Sequence, residues 1–187
     1  MVGVTPHLSA FGKAMANGFS VSALVGQREF MEIGGIDHEQ ERLFLLSTTH
    51  GGETHSLAAA IASINEIKTH NIIDHFWTIG QLFMDGVNKA AKDIGAEQYV
   101  ETKGYGVKPG IVFKDETGQV SMAARTLFLQ ETIKGGLLMP YMVPSFSHKK
   151  ETIGFAIERI RDALGVMKSA AEGPGMASFV KGDMVKP

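Results

Sequence analysis

Three groups of residues in this 187-residue chain have types and spacing that invite chemistry. The first is Lys13, within Phe11-Gly12-Lys13-Ala14-Met15-Ala16-Asn17-Gly18-Phe19; it is the one charged residue between Leu8 and Val25. An apolar setting disfavours the ammonium form by desolvation, and a neutral amine is a nucleophile that can form a Schiff base with an aldehyde. Gly12 and Gly18 would let backbone approach a bound ring closely. The plainer alternative is a lysine that snorkels to solvent from a strand end. The second group is Ser47-Thr48-Thr49-His50-Gly51-Gly52, just ahead of a helical pattern. Backbone N–H groups at a helix start favour an anion, and the Thr48 and Thr49 hydroxyls can donate to phosphate oxygens; ordinary helix capping is the competing reading. The third is His50, Glu53 and His55. Their spacing, His-x-x-Glu-x-His, matches neither zinc helix motif, H-E-x-x-H or H-x-x-E-H, which argues against a metal.

Other polar residues have plainer readings. His7, His38, His70, His75 and His148 are scattered and read as surface or capping residues. Gly104-Tyr105-Gly106 lacks the third glycine of a dinucleotide fingerprint and reads as a turn. Ser147 reads as a helix cap. Arg28, Arg42, Arg125, Arg159 and Arg161 read as surface or helix-face residues.

The elements that must position these groups follow from periodicity. Leu8 to Met15 is a short, mostly apolar segment closed by the turn signal Asn17-Gly18. Phe19 to Val25 alternates weakly as a strand, Gln27 to Ile33 is a short helix ending at Gly34-Gly35, and Leu43 to Leu46 is a short buried strand. Ser56 to Lys68 carries Leu57, Ala60, Ile61, Ile64 and Ile67 at helical spacing. After His70-Asn71 the pattern resumes from Ile72 to Ile94, long enough to link two structural units. Beyond Gly95 the pattern predicts a strand at Gly110 to Lys114, a turn at Asp115 to Gly118, a helix at Met122 to Ile133 and a strand at Leu137 to Val143. Glu151 to Met167 is an amphipathic helix with Ile153, Ile157, Ile160, Leu164 and Met167 inside. The Gly/Pro-rich tail from Glu172 suggests poor packing. The domain boundary falls near residue 93, giving 1–93, 94–172 and a tail of 173–187.

Composition narrows the function classes. A formal net charge of −2 argues against a nucleic-acid groove or an anionic membrane surface. The chain has no cysteine, so it has no disulfide, thiolate zinc site or cysteine nucleophile; this suits a cytoplasmic protein. No apolar run approaches a membrane span, and Met1 to Leu8 lacks the features of a signal peptide.

Taken together, the segments resemble class III pyridoxal-phosphate aminotransferases, most nearly the glutamate-1-semialdehyde aminomutase-like branch. Gly3-Val4-Thr5-Pro6-His7-Leu8 through Gly12-Lys13 and Gly18 resembles the family's G-V-x-P-D-L-x-x-x-G-K-x-x-x-x-G stretch. Ala23-Leu24-Val25-Gly26-Gln27-Arg28-Glu29-Phe30-Met31 resembles the strand and R-x-x-[IV]-M helix that follow it. Ser47 to Ala60 is similar to the S-T-[FY]-G-G-N-P loop and its Ala-rich helix, Gly136 to Ser147 to a late strand, and Glu151 to Lys168 to the last helix. His7 stands where aspartate is usual, Ser20 where proline is common, and Glu53-Thr54 where Asn-Pro is usual.

The resemblance implies an α/β protein of the type I, aspartate aminotransferase-like fold, with part of the large domain plus a small C-terminal α/β domain. It implies pyridoxal 5′-phosphate as cofactor and Lys13 as the internal-aldimine lysine and later acid/base. Thr49, with Thr48 beside it, would reach the cofactor phosphate of a neighbouring subunit in a homodimer whose active site lies at the interface. The substrate would be a small amino acid or amino-aldehyde, and the reaction amino-group transfer or 1,2-migration. Family members also carry an N-terminal portion with the main phosphate loop and an aspartate for the pyridine nitrogen; nothing here matches it, so the chain reads as a fragment. Two alternatives stand beside this reading: a non-catalytic subunit or binding partner, and a small ligand-binding domain in which Lys13 is incidental.

Overall fold

The computed structural model describes residues 3–35, 37–39, 41 and 52–186. These form two compact units, divided between Asn71 and Ile72.

In the first unit, β1 (Leu8–Phe11) and β2 (Ala23–Gly26) form an antiparallel pair, with Leu8 opposite Gly26 and Phe11 opposite Ala23. The strand expected from Phe19 is shorter than its sequence pattern: Phe19 to Ser22 belongs to the connection, because the turn at Asn17-Gly18 is still resolving there. At the far end, Gln27 N–H donates to the His7 carbonyl at 2.9 Å and fixes the register. A short helix, α1 (Arg28–Met31), runs into a 3-10 turn ending at Gly34, close to the expected helix. The helix α2 (Thr54–Thr69) matches its periodicity, burying Ser56 and Ala60. Leu57 and Ile61, which share the apolar stripe, remain exposed. Asn71 interrupts the helical run with a left-handed backbone, φ 48°. The strand expected at Leu43 to Leu46 lies outside the described residues.

The second unit holds the main core. Helix α3 (Ile72–Asp93) buries Ile79, Phe83, Val87 and Ala91 against Ile160, Leu164 and Met167 of α5 (Lys150–Ala171). β3 (Val100–Tyr105) and β4 (Lys108–Phe113) make an antiparallel hairpin whose two-residue loop is Gly106-Val107. Tyr105 therefore ends a strand, and the turn lies one residue later than the sequence suggests. Helix α4 (Met122–Lys134) opens with Ser121, whose hydroxyl accepts from the Ala124 N–H at 3.2 Å, and supplies Leu127 and Phe128 to the same core. Lys168 Nζ donates to the Ile94 carbonyl at 2.9 Å, occupying an acceptor just past the end of α3.

Several expectations change. The compact units divide at 71/72, whereas the sequence boundary lies near residue 93; the apolar stripe of α3 packs inside the second unit's core. Leu137 to Val143 forms no strand. The Leu137 N–H is taken by the Thr132 carbonyl at 2.8 Å and the Gly136 N–H by the Ile133 carbonyl at 2.9 Å, a paired closure of the α4 terminus with Gly136 at φ 82°. Pro140 further removes a donor from the segment. The tail is packed rather than loose. Met176 is fully buried, Lys181 N–H donates to Gln130 Oε1 at 2.8 Å, and Val185 N–H donates to Thr126 Oγ1 at 3.0 Å, so the tail straps α4. Ser147 does not cap α5; Lys149 occupies that position.

Candidate active site

Lys13 sits at the exit of β1, as the first residue of a 3-10 turn, Lys13–Met15. Its backbone is left-handed, with φ 49°. A non-glycine residue in that region is uncommon and usually held there by its surroundings. The local bonds show how. Met15 N–H donates to the Gly12 carbonyl at 3.2 Å, Asn17 N–H donates to the Lys13 carbonyl at 3.1 Å, and buried Ala16 pins the turn. Asn17 (φ 47°) and Gly18 (φ 114°) then reverse the chain toward β2, using residue types that tolerate such angles.

The turn packs against α2. Phe19 meets the His55 ring edge-on, with centroids 5.8 Å apart. The lysine turn and the first turn of α2, which directly follows the Ser47–Gly52 loop, are therefore neighbours. Thr48, Thr49 and His50 themselves lie outside the described residues. His55, weighed above as a metal ligand, is engaged with Phe19, and His7 is edge-on to Phe30 at 5.2 Å.

Lys13 is exposed, so the described residues do not supply the apolar burial expected for it. A Cβ added at Gly18 would meet nothing within 4 Å, and one at Gly12 would reach only ordinary contact at 3.9 Å. An accessible primary amine on a constrained backbone, with uncrowded glycines on both sides, fits the aldehyde end of pyridoxal phosphate. Four carboxylates of the second unit are held below their ordinary range. Asp93 is lowered by its hydrogen bond from Lys89, Glu101 by that from Lys114, and Asp115 by that from Thr117. Glu131 is lowered too, burial opposing its bonds from Lys134 and Gln130.

The family model described as aminotransferase class-III matches residues 1–164. The chain belongs to the class III aminotransferase family. The cofactor of this family is pyridoxal phosphate. The class III chain is 32% identical to a 3-aminobutyryl-CoA aminotransferase of Cloacimonas acidaminovorans (strain Evry), over 90% of its own length and 39% of that protein. It is also 32% identical to a glutamate-1-semialdehyde 2,1-aminomutase of Desulfatibacillum aliphaticivorans, over 56% of this chain and 24% of that one. Among solved structures, the FumI protein of Sphingopyxis sp. MTA144, in its PLP internal aldimine form, superimposes with a TM-score of 0.75 at 22% identity, covering 91% of this chain and 39% of that one. The fold is thus the pyridoxal-phosphate transaminase fold, carried in part: the chain spans 39% of the length of its 3-aminobutyryl-CoA aminotransferase relative.

Sequence reasoning missed two features of the second unit. His75 and His148, read as surface or capping residues, are half-buried; His75 Nε2 contacts the His148 carbonyl oxygen at 3.0 Å, and His148 Nδ1 accepts from the Ser145 N–H at 3.2 Å. Arg125, read as a helix-face residue, lines a cavity. The His75–His148 contact and the Arg125 cavity carry no local sequence signal, because the groups that meet there are distant in the chain.

Proposed function

We propose that this chain supplies the cofactor-attaching lysine, Lys13, of a pyridoxal-phosphate-dependent enzyme that transfers or migrates an amino group on a small amino acid or amino-aldehyde. The observation that carries the reading is Lys13 itself: a lysine within the family-matched residues 1–164, in left-handed backbone, with its side chain accessible, at the exit of β1. Bound there, the cofactor supplies an electron sink for charge developing next to the substrate nitrogen. Lys13 would hold the cofactor covalently through its amine. Its free amine would then serve as the acid/base that moves a proton at the substrate carbon. Its stiff turn keeps the amine in place through both tasks, which favours a well-aligned proton transfer. Thr49 and Thr48 would donate hydrogen bonds to the cofactor phosphate, across the interface of a homodimer in the cytoplasm.

The transfer and aminomutase forms differ in one requirement. A mutase turns over one molecule with no second substrate, whereas a transferase stalls after a half-reaction until an acceptor is added. A second reading, a non-catalytic subunit, draws on the exposed apolar side chains of Phe11, Leu24 and Ile61, which suit burial against further polypeptide.

The test is to add pyridoxal phosphate to the protein, reduce with borohydride and map the label. The pyridoxyl group is expected on Lys13, and spectral conversion with amino acids should vanish in Lys13→Ala. A label on any other lysine removes the assignment. Conversion that never occurs, with Lys13 labelled, favours the non-catalytic reading. Thr49→Val is expected to weaken cofactor binding by about 1.5–3 kcal/mol, the worth of a hydrogen bond to a charged group; unchanged affinity in an equilibrium titration would remove Thr49 from the site.

A further inference from the structure

The second unit contains a cavity of about 340 Å³ between the outer edge of β4, the opening of α4 and the segment after it. We propose that it is a binding site for a small apolar monocarboxylate, anchored by Arg125. The volume lies at the lower end of the range for small-molecule pockets. Its walls are apolar: Phe113, Phe128, Met139 and Met142 line it, with Phe128 only 1% exposed.

Arg125 is the one charged side chain on the lining, and no aspartate or glutamate lies there. Among the described residues its guanidinium makes no ion pair or hydrogen bond, although it is half-buried. Every other arginine that the structure describes is paired with a carboxylate: Arg28 with Glu32, Arg159 with Asp162, Arg161 with Asp93. The Arg125 nitrogens keep some contact with solvent, so the guanidinium is accessible to a ligand while carrying no counter-charge from the protein. Its place near the start of α4 favours an anion beside it, since the helix dipole there is positive and the first turn holds no acidic residue. A carboxylate in the cavity would complement both the charge and the dipole, and the guanidinium fork matches its two oxygens.

The sheet edge supplies a further donor. The Lys114 N–H donates to the Tyr99 carbonyl at 2.9 Å, so alternation turns Val112 and Gly110 toward β3 and turns Phe113 and Ile111 outward. The Phe113 carbonyl accepts the Ser121 N–H at 3.0 Å, consistent with that phase. The Ile111 N–H therefore faces away from β3, on the cavity side. Pro109, the next outward residue, has no N–H, so the edge is a poor template for an added peptide strand. One N–H and one guanidinium over an apolar floor suit a small acid better than an extended chain. The inference rests on the second unit alone and does not depend on the role of Lys13.

Hexanoate is the probe, with hexan-1-ol and hexylamine as matched controls, titrated calorimetrically into the 187-residue chain. Saturable one-to-one binding of hexanoate is expected, with the alcohol and the amine at least about tenfold weaker, as loss of a charge-assisted bond implies. Arg125→Gln should lose hexanoate binding by a similar factor with unchanged circular dichroism, and Arg125→Lys should retain part of it. Methionine-methyl NMR on the unaltered protein gives a readout independent of variant folding: Met122, Met139 and Met142 should shift on titration, while Met167 and Met176 should not. No saturation by hexanoate, equal binding of the alcohol, equal binding by a folded Arg125→Gln protein, or shifts that spare the cavity methionines would each overturn the proposal.

Discussion

Lys13 bears a backbone cost that a lysine has no local reason to accept. Left-handed geometry costs an L-residue about 1–2 kcal/mol relative to glycine, and neither Lys13 nor its flanking turn offsets this with a side-chain bond that the structure shows. Lys13→Gly should therefore be more stable than Lys13→Ala by about 1 kcal/mol in denaturant unfolding, although both lose the amine. Equal stabilities would mean that the turn relaxes to ordinary backbone in solution. Strained backbone of this kind clusters at functional sites.

At the scale of elements, α3 and the β3–β4 hairpin approach backbone to backbone. A Cβ at Gly80 would fall on the Gly106 carbonyl oxygen, and a Cβ at Gly106 would crowd the Trp77 carbonyl. Glycine within a helix normally costs about 1 kcal/mol against alanine, yet Gly80→Ala should destabilise, by roughly 3 kcal/mol at the upper end of overpacking effects. The shift in chemical denaturation midpoint checks it, and a stabilised variant would contradict the close approach. The turn after β4 is held by Asp115, whose carboxylate accepts from Thr117 Oγ1, from the Thr117 N–H at 2.9 Å and from the Gln119 N–H at 3.1 Å. These bonds hold its pKa below the ordinary 3.8. A depressed folded value means the contribution is present in full above 3.8 and is lost as pH falls through the lower folded value. Asp115→Asn should accordingly flatten the loss of stability in acid below that point; an identical acid limb in thermal melts at stepped pH would count against the linkage.

At the scale of the whole molecule, the buried core belongs to the second unit. Residues 72–187 should express as a cooperatively melting protein. Residues 94–187 should not, because they lack Ile79, Phe83, Val87 and Ala91, and loss of one buried phenylalanine alone costs about 3–5 kcal/mol. A sharp melting transition from the shorter piece would restore the boundary to residue 93. The described part of the first unit, by contrast, leaves large apolar side chains of both strands and of α2 in water.

The sequence by itself determined what depends on near neighbours. The spans of α2, α3 and α5 follow from the spacing of their apolar residues, and Lys13 stands out through its glycines and its isolation among uncharged residues. The family could be read from those same residues, and the match over residues 1–164 agrees. Tertiary structure decided what depends on distant partners. The Leu137 N–H went to the end of α4 rather than to a strand, the tail found Gln130 and Thr126, and the α3 stripe found α5 instead of linking two bodies. Arg125 gives no local sign that an apolar cavity awaits beside it. Periodicity records which face of an element is apolar; which surface that face meets is set by packing among segments tens of residues apart, and no local pattern encodes it.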